Sequence, residues 1–290
     1  LGITPAMTLV ARLAHVKGLP PGLILNAAAG IIFGTPTKQG SYPITVNGIN
    51  PAGTSLPKTA TITIYPMERA GVGTYVAYIA AHPQINDSFG GRLNLTITDD
   101  TKYSASLALG KDTYRMAGNV NLGATQFTGL SGTFYRGGFT FKNKAGISHI
   151  VYFEVHPLTG ALQGTINNGS GSTDLFGHRQ FWNFTAPQYR NPCSFSGIYN
   201  LGLHLAADDV GKAEIPQGDG YSTLTINFSG FGTYAGVLAD GTKFTGSSIV
   251  SNSGQTVLFQ MLYGNSGSVL IRNDFYRPRQ NEQLLEIGRA

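Results

Sequence analysis

A single cysteine, Cys193, leaves the chain without any possible internal disulfide. Beside Pro192 it reads as a small buried apolar side chain rather than a nucleophile. Charge is scarce. Asp, Glu, Lys and Arg make up 12% of the 290 residues, about half the usual share. The net charge of +5 is scattered, and its densest group is Arg272, Arg277 and Arg279. A nucleic-acid footprint needs a concentrated patch or stripe, so no nucleic-acid partner is expected. No apolar run is long enough to span a membrane. Chemical motifs are missing as well. There is no Gly-x-Ser-x-Gly elbow, no phosphate-binding glycine loop, no His-Glu-x-x-His and no cysteine pair. The six histidines, at 15, 82, 149, 156, 178 and 204, lie far apart without metal-ligand spacing. No catalytic residue, cofactor or metal is therefore expected. The chain begins at Leu1 without a methionine or a signal peptide, which suggests a fragment of a longer protein.

What the chain does have is 39 Gly, 16 Phe, 14 Tyr and many hydroxyl side chains. Together with low charge, these describe an all-β protein with exposed hydroxyl-rich strands. Such compositions are common in secreted bacterial surface proteins, so an extracellular or cell-surface location is expected. The clearest local pattern spans residues 220–246. Leu224, Ile226 and Phe228 alternate with Thr223, Thr225 and Asn227, placing apolar side chains on one face of a strand. Ser229-Gly230-Phe231-Gly232 breaks the run, Tyr234 to Leu238 resumes it, and Asp240-Gly241 predicts a type I′ hairpin turn.

This meander occurs twice. Gly91-Arg-Leu-Asn-Leu-Thr-Ile97 matches Gly220-Tyr-Ser-Thr-Leu-Thr-Ile226, and Tyr103 to Leu107 matches Tyr234 to Leu238. Asp112 to Gly118 matches Asp240 to Gly246, and Gly73-Thr-Tyr75 matches Gly197-Ile-Tyr199. Val151 to Val155 with Gly160 matches Leu258 to Leu262 with Gly267. Five segments in one order predict a duplicated antiparallel β unit of about six strands per copy. The first copy carries extra material near Phe127 to Phe141, expected as an additional hairpin. The copies could close into a barrel or form packed sheets, since closure removes unpaired edges. They are similar to duplicated β units of long secreted bacterial proteins, a resemblance that brings no activity with it.

The first 66 residues carry a different signature. Gly18-Leu-Pro-Pro-Gly-Leu23 is followed by Asn26 to Pro36 with Gly30-Ile-Ile-Phe-Gly-Thr-Pro36, then Gly40-Ser-Tyr-Pro-Ile-Thr-Val46, then Thr59 to Ile64. Pro20-Pro21-Gly22 reads as a rigid turn, because proline fixes φ and cannot donate to a ladder. This stretch resembles the bacterial "putative Ig" family, related to cadherin-like domains of dystroglycan type. The resemblance implies a truncated Ig-like β-sandwich with one or two strands fewer before Met7, and a spacer or adhesion role without catalytic residues. Some cadherin-like relatives bind calcium through clustered carboxylates. Residues 1–66 contain no Asp or Glu, so that property is not implied here.

The expected organisation is an Ig-like domain at 1–66, a first β unit with its connector at 70–188, a second β unit at 194–280, and a tail at 281–290 forming a helical turn or a linker. Candidate ligand-binding residues cluster in the connector: Phe176, His178, Arg179, Phe181 and Trp182. Aromatics beside Arg and His suit carbohydrate stacking or a protein contact, while packing between the copies is the alternative. Alternation places Tyr152, Glu154 and His156 on one strand face, a row suited to sugar binding or acid/base chemistry but expected as an outward polar surface. Asp99-Asp100, Asp208-Asp209 and Asp219 are loop carboxylates that turn geometry alone explains. The reading that results is a non-catalytic extracellular spacer or adhesion module, contacting a glycan, a cell-surface protein or neighbouring modules of the same chain. A carbohydrate-binding appendage of a secreted hydrolase is the alternative.

Overall fold

The computed structural model describes residues 12–34, 36, 38–64, 71–124, 133–182, 191–205, 207–213, 215–275 and 284–289. The chain divides into two compact units, the first made of residues 1–67 and 99–101 and the second of the rest. Residues 65–70, between the two expected domains, and the middle of the connector at 183–190 lie outside the described residues.

In the first unit, strands β1 (Arg12–Lys17), β4 (Gly40–Asn50) and β6 (Lys58–Ile64) form an antiparallel sheet with β4 in the centre. The short β5 (Gly53–Thr54) also pairs with β4. Strands β2 (Leu23–Asn26) and β3 (Ile31–Gly34) make a separate hairpin. The proline turn forms as the sequence implies: the Leu23 amide donates to the Pro20 carbonyl at 3.1 Å, and Gly22 takes φ +90. At the hairpin turn the Asn26 side chain accepts from the Ala29 amide at 3.1 Å. The core is small, and Pro20 and Ile44 are its buried apolar side chains among the described residues.

The second unit begins with a nearly closed, eight-stranded up-and-down barrel. Its strands are β7 (Gly73–Ile79), β8 (Gly91–Ile97), β9 (Lys102–Leu109), β10 (Asp112–Asn119), β12 (Thr133–Lys142), β13 (Ser148–Val155), β14 (Ala161–Asn167) and β15 (Ser172–Arg179). β15 returns to pair with β7, as Leu175↔Ile79 through Arg179↔Tyr75. The remaining seam lies between β10 and β12. The chain crosses it by bending at the buried Val120: β10 pairs with β9, and its continuation β11 (Asn121–Ala124) pairs with β12. Aromatic side chains seal the rest. The Tyr114 and Phe141 rings lie 4.0 Å apart, and the Tyr103 hydroxyl donates to the Gly138 carbonyl at 2.7 Å. Tyr103 fits because Gly118 has no Cβ; one there would stand 2.7 Å from the hydroxyl oxygen. The material expected as an extra hairpin supplies β12, the strand that completes the barrel, so this copy has eight strands where about six were expected. The interior is filled by Tyr75, Leu93, Leu95, Leu107 and Phe153, each 0% exposed.

The second copy has seven strands. β16 (Gly197–Leu203), β17 (Gly220–Ile226), β18 (Phe231–Val237) and β19 (Lys243–Ile249) form one sheet. β20 (Gln255–Leu262), β21 (Gly267–Asp274) and β22 (Leu284–Arg289) form another. The tail, expected as a helical turn or linker, is thus a strand, because it supplies the ladder partner that β21 needs on its free side. Side chains stand in for a backbone ladder between β19 and β20. The Val257 amide donates to Ser248 Oγ at 3.2 Å, and the Thr245 amide to Gln260 Oε1 at 3.1 Å. The Asp240-Gly241 turn differs from the type I′ expectation. Gly241 alone takes positive φ, +84, and the turn closes by bonds from the Leu238 amide to Thr242 and from the Gly241 amide to Leu238.

The duplication is visible in detail. At the start of each copy the tyrosine of Gly-x-Tyr bonds four residues back: Tyr75 to the Gly71 carbonyl at 2.8 Å, and Tyr199 to the Phe195 carbonyl at 2.9 Å. The preceding glycines take φ +141 and +153.

The copies share a wall. One face of β20 and β21 contributes Leu258, Leu262, Val269 and Ile271 to the interior of the second copy. The opposite face places Val257 and Leu270 against Val76 of the barrel. Trp182 enters the second-copy core from the connector, and its indole N–H donates to the Val250 carbonyl at 2.8 Å. Gly230, at φ +70, makes room for it; a Cβ there would lie 2.0 Å from the indole Cδ1. Gly230→Ala is expected to destabilise the protein by about 2–4 kcal/mol, combining steric overlap with a strained backbone. Because Trp182 is the single tryptophan, its fluorescence reads the same event. The emission should shift to the red as the indole is displaced, and an unshifted spectrum with an unchanged melt would show that the site tolerates a methyl group.

Candidate functional site

The outer wall of the barrel carries a continuous row of side chains set by strand register. Arg136 pairs with Glu154, Glu154 with Gln163, Gln163 with Phe176, Phe176 with Tyr78, and Tyr78 with Arg92. Period-two alternation puts these outside, because Phe153, Val155 and Leu162 point inward.

Glu154 lies on this outer face yet is 0% exposed. That corrects the expectation of an outward polar surface. The Tyr152 hydroxyl donates to Glu154 Oε1. Burial, and then the bond to Glu154, push the Tyr152 pKa upward, with Arg136 opposing. Gln163 Nε2 is buried beside them without a hydrogen-bond partner. His156 serves another purpose: its Nδ1 accepts from the Leu158 and Thr159 amides at 3.2 and 3.1 Å, and its ring meets Phe134 edge-on. The Tyr-Glu-His row is therefore a Tyr–Glu pair beside a turn-capping histidine. A second carboxylate on this wall, Asp174, is two strands away and pairs one row along, with Thr165. Two strand spacings and a two-residue offset along the strand put the two backbones roughly 12 Å apart.

The five connector candidates do not form one patch. Phe176 is 43% exposed on the outer wall, with its ring 5.9 Å from that of Tyr78. His178 is on the same face, between the barrel and β21. Arg179 points the other way, into the barrel, where Nη1 donates to the Val72 carbonyl at 3.1 Å. Its guanidinium lies 3.4 Å from the centroid of Phe181. Gly160 sits beneath both side chains. Trp182 belongs to the core of the second copy. Alternation along a strand sends neighbours to opposite faces, and the chain then leaves the barrel for the next sheet. The buried Glu154 and its register partners were the group that local sequence did not assemble. The signal was present in the alternation of 151–155, but its partners Arg136 and Gln163 come from other strands.

Two of the loop carboxylates, Asp209 and Asp219, are engaged locally. Asp209 pairs with Lys212 Nζ at 2.7 Å, and Asp219 with His204 Nδ1 at 2.8 Å. Among the described residues no three His, Cys, Asp or Glu side chains gather as a metal site would require. No described helix is long and apolar enough to cross a membrane. In the first unit, residues 48–50 and 52–55 line an open depression of about 200 Å³.

Residues 3–65 match the family described as "Putative Ig domain". The rest of the chain has no family match. Neither a curated protein nor a solved structure matches the chain. The family matched by residues 3–65 is typically non-catalytic, and that match suggests a non-catalytic extracellular module.

The shared wall contains a titratable group. Burial, then the Arg272 charge, lower the His178 pKa, with Asp274 opposing, to about 4 from an ordinary 6.5. Arg272 itself lies 3.7 Å over the Tyr78 ring. The folded state holds His178 neutral while the unfolded chain protonates it below about pH 6.5. Its contribution is therefore present above pH 6.5 and is lost as pH falls toward 4, on the order of 2–3 kcal/mol. Melts of wild type and His178→Gln from pH 7.5 to 4.5 should converge or cross as the wild type weakens. Parallel pH slopes in the two proteins would exclude His178 as the source.

Proposed function

We propose that this chain is a non-catalytic spacer or adhesion module of a larger extracellular or cell-surface protein. The filled barrel interior carries this reading. A barrel that carries a ligand keeps a lumen, whereas here aromatic and aliphatic side chains occupy it. Recognition then falls to strand faces and loops. The second-copy sheet supports that role, with Ile198 72% and Tyr221 66% exposed on a face that also bears Thr223 and Thr225. An exposed tyrosine among hydroxyls suits glycan contact, which is the observation favouring a carbohydrate-binding appendage as the second reading. Neighbouring modules of the same chain and cell-surface proteins are the other partners this architecture serves.

Purified protein incubated with chromogenic glycosides, esters and peptides should show no turnover. Turnover abolished by Glu154→Gln would overturn the non-catalytic reading. On a glycan array, retention lost in Tyr221→Ala but kept in Phe176→Ala would favour the appendage reading. Absence of retention on every glycan would leave the spacer and protein-adhesion reading standing alone.

A further inference from the structure

The second copy has seven strands, β16 to β22, and the odd count leaves its two edges running the same way. Neighbours from β16 to β19 are antiparallel, and so are those from β20 to β22. Across the seam Ser248 meets Val257 and Gln260 meets Thr245, so β20 runs against β19. β16 and β22, first and last in the order, therefore point in one direction. The Tyr199 ring of β16 lies 4.7 Å from that of Phe275, which follows β21 on the side where β22 begins. The first copy avoids this conflict because β15 runs against both of its neighbours, β14 and β7. Among the described residues, β16 pairs with β17 alone and β22 with β21 alone.

An open strand edge recruits other strands through its unpaired amides and carbonyls, and proteins blunt it with charge, proline or a bulge. The edge strand β1 of the Ig-like unit carries Arg12, Lys17 and a register shift between Leu13 and His15. β16, Gly197-Ile-Tyr-Asn-Leu-Gly-Leu203, has no charge, no proline and an unbroken register with β17. Its Leu201 and Leu203 belong to the second-copy core, while Ile198 on the outside is 72% exposed. A second copy of the chain laid edge to edge would pair β16 and leave β22 open. One strand between the two edges answers both.

We propose that a single extended segment from a neighbouring module of the longer protein enters between β16 and β22, antiparallel to both, and brings the second copy to eight strands. Its chemistry follows from β15, which holds the corresponding place beside β7. β15 alternates, with Leu175 0% exposed inside and Asp174 and Phe176 outside. Gly177 approaches Ala77 so closely that a Cβ would lie 2.6 Å from the alanine Cβ. Arg179 pairs with Tyr75, Gly177 with Ala77 and Leu175 with Ile79. Since Tyr199 corresponds to Tyr75, the same register sets Leu201 opposite the glycine position and Leu203 opposite the leucine. The segment therefore carries a small residue facing Leu201, an apolar one facing Leu203, and polar residues between them. The module as its source rests on the reading of this chain as part of a longer protein; the open edge does not.

The test combines the full chain with a synthetic peptide of residues 171–180, Gly-Ser-Thr-Asp-Leu-Phe-Gly-His-Arg-Gln, and reads amide hydrogen exchange. In the free protein the β16 amides that are not bonded to β17 should exchange fast. The peptide should slow that set by about tenfold or more and leave β7 unchanged. N-methylation at alternate residues keeps the side chains but removes half of the donors, and should weaken binding by about tenfold or more. A permuted peptide of the same composition should bind as weakly. Protection of every β16 amide in the free monomer overturns the proposal, as does a peptide that leaves β16 exchange unaltered. So does an equal effect of the permuted or N-methylated peptide. A dimer in light scattering whose β16 amides are all protected would assign the edge to a second copy instead. None of these outcomes bears on turnover or glycan retention, so the spacer reading is judged separately.

Discussion

Burial of β20 and β21 on both faces is the constraint on which the second unit depends. Gly267 to Ile271 are buried without interruption. A half-buried strand alternates apolar and polar, whereas one covered on both faces does not. Val269 and Ile271 complete the second-copy core while Leu270 meets the barrel. Ser268, the polar member of the run, donates its hydroxyl to the Phe89 carbonyl of the first copy at 2.7 Å. Neither copy can lose this wall without exposing apolar surface, so the duplication produces one cooperative body rather than two beads.

Around that wall the copies diverged in how they close. The first gained β12 and bends its fourth strand at Val120, so that one continuous segment pairs with β9 and then with β12. The second lacks that strand and bridges its gap with Ser248 and Gln260. Both retain the Gly-x-Tyr corner, which anchors the first strand of each copy by a hydroxyl bond to the carbonyl four residues earlier. Gly118 and Gly246, at matching positions, each clear space for a large side chain, Tyr103 in one copy and Leu258 in the other. The shared residues hold the scaffold. The differences decide closure.

Much of this was legible in local pattern. Alternation in 91–97 and 220–226, the proline turn at 20–22 and the Gly-x-Tyr openings each name a strand or corner, because their physics is contained within a few residues. The apolar stretches Val257–Phe259 and Val269–Ile271 fit burial on both faces, though three residues do not say what lies on the second face. The candidate site was less legible. Phe176, His178, Arg179, Phe181 and Trp182 are neighbours in sequence, yet strand alternation and the exit from the barrel send them to the outer wall, the barrel interior and the other core. Glu154 presents the reverse case. Its partners are distant in sequence and adjacent in register.

Short-range alternation and backbone preference made the all-β class, an Ig-like stretch ahead of a duplicated unit and most of the turns readable from the residues alone. Long-range strand pairing settled the rest: the first copy nearly closes with eight strands, its lumen is filled, and Glu154 is buried on an outer face. It also decided that the tail is a strand. Each of these depends on which strands become neighbours, and pairing between distant segments is selected by the burial and backbone hydrogen bonding of the whole sheet, which no local stretch of residues encodes.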